Sequence, residues 1–122
     1  MARRDLTGAV DFAYLEAYAG GDLGVVEEVL GLFRQQAEMW LRLLDPHAPG
    51  QGWRDAVHTL KGSARGIGAN GLGAVCETAE QAGPDGQAPG LERVRDELDR
   101  VLADIAAYTH ELALRSLKTP PS

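Results

Sequence analysis

Apolar residues recur at intervals of three and four along most of the chain, which is the spacing of amphipathic α-helices. The clearest early pattern covers about residues 23–44 and ends at the segment DPHAPGQG. Asp22 precedes it at the position of an N-cap, where a carboxylate can accept from the first free backbone N–H groups. A shorter pattern over about residues 9–18 is ended by GGD. The apolar positions are Phe12, Leu15 and Tyr18 in the first segment and Leu23, Val26, Leu30, Phe33, Ala37, Trp40 and Leu44 in the second.

Three more helices follow. The third is predicted from near Gln51 to Ile67, and a soft junction over 68–73 separates it from a fourth that runs to about Ala82. GPDGQAPG is predicted to be a loop, the last helix covers about residues 91–117, and the tail KTPPS is expected to fray. The expected inward residues are Trp53, Val57, Leu60, Ala64 and Ile67, then Leu72, Val75, Cys76 and Ala79, then Leu91, Val94, Leu98, Val101, Leu102, Ile105, Tyr108 and Leu112.

Amphipathic helices joined by short connections favour an all-α fold, an antiparallel up-down-up-down four-helix bundle with a short extra N-terminal helix. The length of 122 residues predicts a single domain over 1–122, with its core at about 9–117. The amino-acid composition also favours helices over strands. The chain has 18 Ala and 16 Leu, which favour helices, but only 8 Val and 2 Ile, the β-branched residues that favour strands.

Charge and cysteine usage narrow the classes of function. The formal net charge of −6 argues against nucleic acid, whose partners carry a basic face. Cys76 is the only cysteine, so an internal disulfide and a cysteine-based zinc site are excluded, and its apolar surroundings favour a buried small residue over a nucleophile. No apolar run approaches the roughly 20 residues of a membrane span. Acidic residues interrupt the N-terminus, so we expect no signal peptide and a soluble cytoplasmic protein.

The stretch AVHTLKGSARGIGAN, residues 56–70, combines a histidine, cations and several glycines. On a helix, His58 lies about 100° from Val57 and therefore off the apolar stripe. Its own face carries Arg54, Lys61, Gly62 and Arg65, at i−4, i+3, i+4 and i+7. A core histidine would not be surrounded in this way.

This arrangement suits a nucleophilic histidine. An imidazole with the ordinary pKa of about 6.5 is largely neutral near pH 7, so its Nε2 can attack phosphorus while Nδ1–H is held by an acceptor. Lys61 and Arg65 could neutralise an arriving phosphoryl group. Gly62 gives up about 1 kcal/mol of helix propensity and leaves the ring accessible to a partner.

Other interpretations stay open or weak. His58 could be an ordinary exposed histidine. A metal site is disfavoured, because His47 and His110 lie in other segments and no paired carboxylate spacing accompanies them. Residues 66–71 match G-x-G-x-x-G, but they follow a helix rather than a strand, so dinucleotide binding is disfavoured. No Ser/His/Asp order of a hydrolase stands out.

The segment HTLKGSARGIGA, residues 58–69, resembles the signature of histidine phosphotransfer (HPt) domains, His-x-Leu-Lys-Gly followed by Gly-Ala at the next bend. GGDLGVVEEVLGLF is similar to the family's entry into its second helix, and LGAVCETAE to its fourth, so nearly the whole chain is covered. The resemblance implies that His58 is the phosphoacceptor, that Lys61 interacts with the phosphoryl group, and that Gly62 keeps the ring accessible.

Relatives often place a polar residue, frequently glutamine, on the fourth helix near the histidine. The register suggests Glu80 here, which could accept from Nδ1–H but would add negative charge near the phosphoryl group. Arg65 rests on helical geometry alone. The resemblance further implies no ATP binding or self-phosphorylation, no cofactor of the chain's own, and Mg²⁺ on the partner, a receiver domain with a phosphorylated aspartate.

The leading hypothesis is therefore a phosphoryl carrier between a hybrid histidine kinase and a response regulator. The alternative is an HPt-like interaction module that binds receivers or kinases without carrying phosphate. A phosphoacceptor domain of a chemotaxis-type kinase is a third possibility, although such chains continue into dimerisation and ATP-binding domains. A monomer is expected. Candidate docking residues are Gln35, Gln36, Met39, Thr59 and Gly66.

Overall fold

The computed structural model describes residues 6–118, apart from the side chains at 116 and 118, so most of the predicted frayed tail lies outside the described residues. Within this range the chain forms five α-helices and one short 3₁₀ helix. No helix of this part of the chain is long and apolar enough to cross a membrane. The helices are α1 (Phe12–Tyr18), α2 (Leu23–Leu43), α3 (Gly50–Gly66), α4 (Asn70–Gln81) and α5 (Gln87–Lys118), and the 3₁₀ helix is Pro84–Gly86.

Helices α2 to α5 form the predicted four-helix bundle. Each of them packs against two others, α3 lying between α2 and α4 and α5 closing the ring against α4 and α2. The connections are short, so successive helices run antiparallel. The short α1 lies at one end, where the Phe12 ring stacks on Tyr108 with 4.1 Å between ring centroids. The fold prediction is confirmed.

The N-terminal segment is fixed by a buried carboxylate on α5. Asp104 is 1% exposed and accepts hydrogen bonds from the backbone N–H groups of Thr7 and Ala9, each at 3.0 Å. The first helix was predicted to start near residue 9, which is too early, because Ala9 is held by the contact with Asp104. The helix starts at Phe12, and Asp11 is its N-cap, whose side chain accepts a hydrogen bond from Tyr14 N at 3.0 Å. Tyr18, predicted as an inward residue, is 80% exposed.

The last helix begins at Gln87, four residues before the predicted start, and takes in half of the predicted loop GPDGQAPG. Gln87 is buried, and its side-chain amide donates to the carbonyls of Pro46 at 2.9 Å and Ala48 at 3.2 Å. Pro89 fits in the first turn because backbone N–H groups there have no partner within the helix. The glycine and proline residues of this segment therefore predicted too long a loop.

The turn between α3 and α4 explains the glycine pattern of residues 66–71. Gly68 has φ +84°, which favours glycine, and its carbonyl accepts from Asp11 N at 2.9 Å. A Cβ at this position would lie 3.0 Å from the Asp11 carbonyl oxygen. Helix α4 starts at Asn70, inside the predicted junction. The pattern builds a tight helix–helix turn that also holds α1.

Candidate functional site

His58 lies on α3, on the side turned away from the core. The helix buries Trp53, Val57, Leu60 and Ala64, whereas the His58 side chain is 66% exposed. Within the described residues the ring makes one hydrogen bond, and Nε2 has no partner. The structure thus places His58 on the polar face of α3, as the sequence predicts.

The one contact of the His58 ring is with Glu80 on α4. Nδ1 lies 2.9 Å from Oε2 of Glu80. An ionised carboxylate only accepts, so Nδ1 is the donor and, in the neutral ring, Nε2 carries the free lone pair. This is the tautomer that a nucleophilic Nε2 needs, and the structure brings the two residues together as the register suggested.

Lys61 approaches the same carboxylate from the other side. Its Nζ lies 2.6 Å from Oε1 of Glu80, and the ammonium side chain is largely buried at 14% exposure. This hydrogen bond is the main cause that lowers the pKa of Glu80 below its ordinary value of 4.5; partial burial opposes it, and the bond from His58 assists it. Because the folded pKa is lowered, the stability that this group adds is present above about pH 4.5 and is lost as pH falls through the lowered value.

Arg65 does not contact His58 in this structure. Its Nη2 donates to Oε1 of Glu77 at 3.1 Å, and the same oxygen lies 3.8 Å from Nζ of Lys61. The aliphatic part of the Arg65 side chain packs directly on the backbone of α4 at Gly73. A side chain at residue 73 would collide with it, because its Cβ would lie only 2.9 Å from Cγ of Arg65. Arg54, also placed on the His58 face, donates to Gln51 of its own helix at 3.1 Å.

Glu77 is a member of this cluster that the sequence reasoning missed. Glu77 and Glu80 are three residues apart on α4, and Lys61 and Arg65 are four apart on α3, so each pair lies along one helix face. The spacing shows that each pair shares a helix face. It predicts ion pairs between the two faces only once α3 and α4 are known to be adjacent. The four side chains form an ion-pair ladder beside His58.

Gly62 faces solvent next to His58. A Cβ at Gly62 would meet no atom within 4 Å, and the same is true at Gly66 one turn further along. Neither glycine is therefore required by packing inside the molecule. A helix gives up about 1 kcal/mol for each such residue, which points to space needed from outside.

An exposed apolar stripe on α2 borders this glycine face. Four of its members are exposed and one, Val29, is half-buried against the core, and all five follow helical spacing beside the buried face. The α2 stripe, as we call it, consists of Val25, Val29, Leu32, Met39 and Leu43. Leu32 is 53% exposed. Between α2 and α3 lies a shallow cleft lined by Val29, Leu32, Phe33, Gln36, Ser63, Gly66 and Ile67.

The candidate docking residues divide accordingly. Gln36 and Gly66 line the α2–α3 cleft, and Met39 belongs to the α2 stripe. Thr59 is exposed, but its hydroxyl donates to the Asp55 carbonyl at 2.9 Å. Gln35 is exposed and lies about 100° around α2 from Gln36. Three of the five candidates, Gln36, Gly66 and Met39, therefore lie along the cleft or the stripe.

A reactive cysteine and a metal site have less support in the described part of the chain. Burial raises the pKa of the Cys76 thiol to about 12, so the thiol stays protonated and unreactive. His47 lies in the connection between α2 and α3, His110 lies in α5, and both are exposed. Among residues 6–118 no group of three or more His, Cys, Asp or Glu side chains is arranged to hold a metal ion.

Comparison with known proteins gives a consistent result. The family model of the Hpt domain matches residues 27–104, which include α3 and the whole ion-pair ladder. The crystal structure of histidine phosphotransferase ShpA from Caulobacter crescentus is 57% identical in sequence, with a TM-score of 0.74, over 90% of this chain and 99% of that chain. A search of curated proteins returned no significant match.

Proposed function

The chain belongs to the Hpt domain family, and on this premise we propose that it carries a phosphoryl group on His58 between the receiver domain of a hybrid histidine kinase and a response regulator. The observation that supports this most is the exposed imidazole whose Nδ1 is held by Glu80 at 2.9 Å, since that leaves Nε2 free as a nucleophile.

The proposed step is an exchange of one bond for another. The Nε2 lone pair of His58 attacks the phosphorus of an aspartyl phosphate on the receiver, an N–P bond forms, and the P–O bond breaks. The aspartate carboxylate leaves with the electron pair, and the Nδ1 proton stays on the ring. The same step run backwards delivers the group to a second receiver. Mg²⁺, where it takes part, belongs to the receiver.

In this proposal Lys61 is the residue that turns to the phosphoryl oxygens. Its ammonium lies at the site already, bound to Glu80 at 2.6 Å, and it can exchange one anion for another. Arg65 is less suited to this role, because Glu77 holds its guanidinium on α4. The chain supplies no group for ATP in this scheme, and we expect a cytoplasmic monomer that acts as a carrier without autonomous catalysis.

The direct experiment uses phosphorylated receiver domains from hybrid kinases of the same organism. We expect the wild-type chain to gain one phosphoryl group by intact-mass measurement, with the acid lability and alkali stability of a phosphohistidine. Receivers that bind the chain without ever labelling it would instead support the non-phosphorylated interaction module.

Docking is proposed on the α2 stripe and the α2–α3 cleft. Partner surfaces are centred on buried apolar contacts, so a charge at Leu32 should weaken association. We expect Leu32→Asp to reduce receiver binding and the transfer rate at limiting receiver by at least about tenfold, which corresponds to about 1.4 kcal/mol. Titration calorimetry and the transfer assay measure both quantities.

Leu117→Asp is the matched control for this substitution. Leu117 is exposed in the last turn of α5, outside the proposed docking face, and the change adds the same charge. Transfer should proceed at the wild-type rate in this variant. Equal transfer by Leu32→Asp and wild type would remove the α2 stripe from the interface.

A further inference from the structure

Glu80 joins the two groups on which the proposed transfer depends. One carboxylate oxygen lies 2.9 Å from Nδ1 of His58, and the other lies 2.6 Å from Nζ of Lys61. At 23% exposure this carboxylate is much less accessible than the His58 ring above it. A negative charge at this position repels a phosphoryl group on Nε2 and attracts a positively charged ring.

Phosphorylation changes the charge of the ring itself. When Nε2 of a neutral imidazole bonds to phosphorus and Nδ1 keeps its proton, the product is a phosphoimidazolium with a positive ring. Onward transfer from that species releases neutral imidazole. If the Nδ1 proton is lost first, the leaving group is imidazolate, a far stronger base and a poorer leaving group. The proton on Nδ1 therefore decides whether the N–P bond is easily broken.

The two electrostatic effects of Glu80 act over different distances. The carboxylate touches Nδ1 directly, whereas phosphorus would be attached to Nε2 on the other side of the ring, roughly twice as far away. Coulomb energy falls with distance, and Lys61 is at hand to screen the phosphoryl oxygens. The repulsion from the phosphoryl group is the same whether or not Nδ1 carries its proton, whereas the attraction to the ring exists only in the protonated form. Glu80 therefore favours the form that keeps the Nδ1 proton.

We propose that Glu80 is a positioning residue that keeps the proton on Nδ1 in both forms of His58. In the free protein it fixes the tautomer with a nucleophilic Nε2. In the phosphorylated protein, Lys61 moves to the phosphoryl oxygens and the full carboxylate charge faces the imidazolium. The N–P bond then remains transferable at higher pH. This inference rests on the proposed function and specifies how its site is regulated.

The surrounding charges do not provide a substitute for Glu80. On α4, Glu77 is engaged with Arg65 at 3.1 Å, and the neighbouring Cys76 thiol is uncharged. Among residues 6–118 no charged side chain of α2 or α5 forms an ion pair with this cluster. The remaining charged groups near His58 on α3 are Lys61 and Arg65, already paired, and Arg54 and Asp55, both bonded to Gln51.

The test is the pH dependence of phosphohistidine hydrolysis, with inorganic phosphoramidate as a chemical donor that needs no partner protein. His47→Gln and His110→Gln are built in, so that His58 is the only histidine; both replaced residues are exposed. The rate is high where Nδ1 is protonated and falls as pH rises. We expect the midpoint of this fall to move to lower pH by about one unit in Glu80→Gln, since the amide oxygen still accepts the hydrogen bond but carries no charge.

Asp55→Asn is the matched control, because it removes a carboxylate one helical turn from His58 that does not touch the ring. In this variant the midpoint pH of the hydrolysis profile should differ from that of wild type by less than half of the shift expected for Glu80→Gln. Nitrogen-15 NMR of the unphosphorylated protein adds an independent readout, and wild type should show the Nδ1–H tautomer. Equal midpoints in wild type and Glu80→Gln, or an Nε2–H tautomer in wild type, would overturn the inference.

Failure of this inference and failure of the proposed function give different results. If receivers never label the wild type while the phosphoramidate-loaded protein shows the midpoint shift, the carrier function is wrong and the role of Glu80 in holding the proton stands. If receivers do label His58 but the midpoints coincide, the carrier function stands and the role of Glu80 is wrong.

Discussion

His58→Gln is expected to accept no phosphoryl group from any receiver that labels the wild type. Glutamine keeps a polar side chain of intermediate length but has no nucleophilic nitrogen, because its amide lone pair is delocalised. The fold should not suffer, since the His58 side chain is 66% exposed and its one hydrogen bond is with Glu80. Intact-mass measurement after incubation with phosphorylated receiver, together with circular dichroism of the variant, checks both statements.

The matched control is His110→Gln, the same substitution at an exposed histidine of α5. It should be labelled as fully as wild type. Label that persists in a folded His58→Gln protein would move the acceptor to another residue and would remove the basis of the proposed site.

Trp53→Ala is expected to cause the largest loss of stability, about 3–5 kcal/mol of unfolding free energy. The Trp53 side chain is 1% exposed in the first turn of α3, and its indole N–H donates to the Ala79 carbonyl near the end of α4 at 2.8 Å. Truncation leaves a cavity and breaks this link between α3 and α4. Urea unfolding followed by circular dichroism gives the free energy and its dependence on denaturant.

Trp53→Phe separates the two contributions, because it keeps an aromatic ring and removes the indole donor. We expect a smaller loss of about 1–3 kcal/mol. Since Ala79 directly precedes Glu80, both variants should also loosen the Glu80–His58 contact, which NMR of the ring nitrogens can follow. A Trp53→Ala protein as stable as wild type would contradict the packing described for α3 and α4.

Much of the fold follows from the spacing of apolar residues. Of the residues predicted inward on the third helix, Trp53, Val57, Leu60 and Ala64 are buried within α3, and Ile67 is buried at its end. The errors occur where tertiary contacts override local signals. The start of α5 depends on Gln87 reaching the carbonyls of the α2–α3 connection, which no pattern within residues 84–91 reveals.

The site was predictable as far as it lies on one helix. Helical geometry on its own puts His58, Lys61 and Gly62 on a shared polar face, and the structure has them there. Partners across helices are a different matter, because they depend on the rotation and offset of α4 against α3. Arg65 is drawn to Glu77 by the close approach at Gly73, a packing detail that a single helix cannot show.

A pulse–chase experiment measures directly whether the chain both accepts and passes on a phosphoryl group. Wild-type protein is labelled from a phosphorylated receiver, purified, mapped by peptide mass spectrometry, and mixed with unlabelled response-regulator receivers. We expect label on His58 that leaves for a cognate receiver much faster than it hydrolyses. Label on another residue, or label on His58 that disappears at the hydrolysis rate whichever receiver is present, would contradict it.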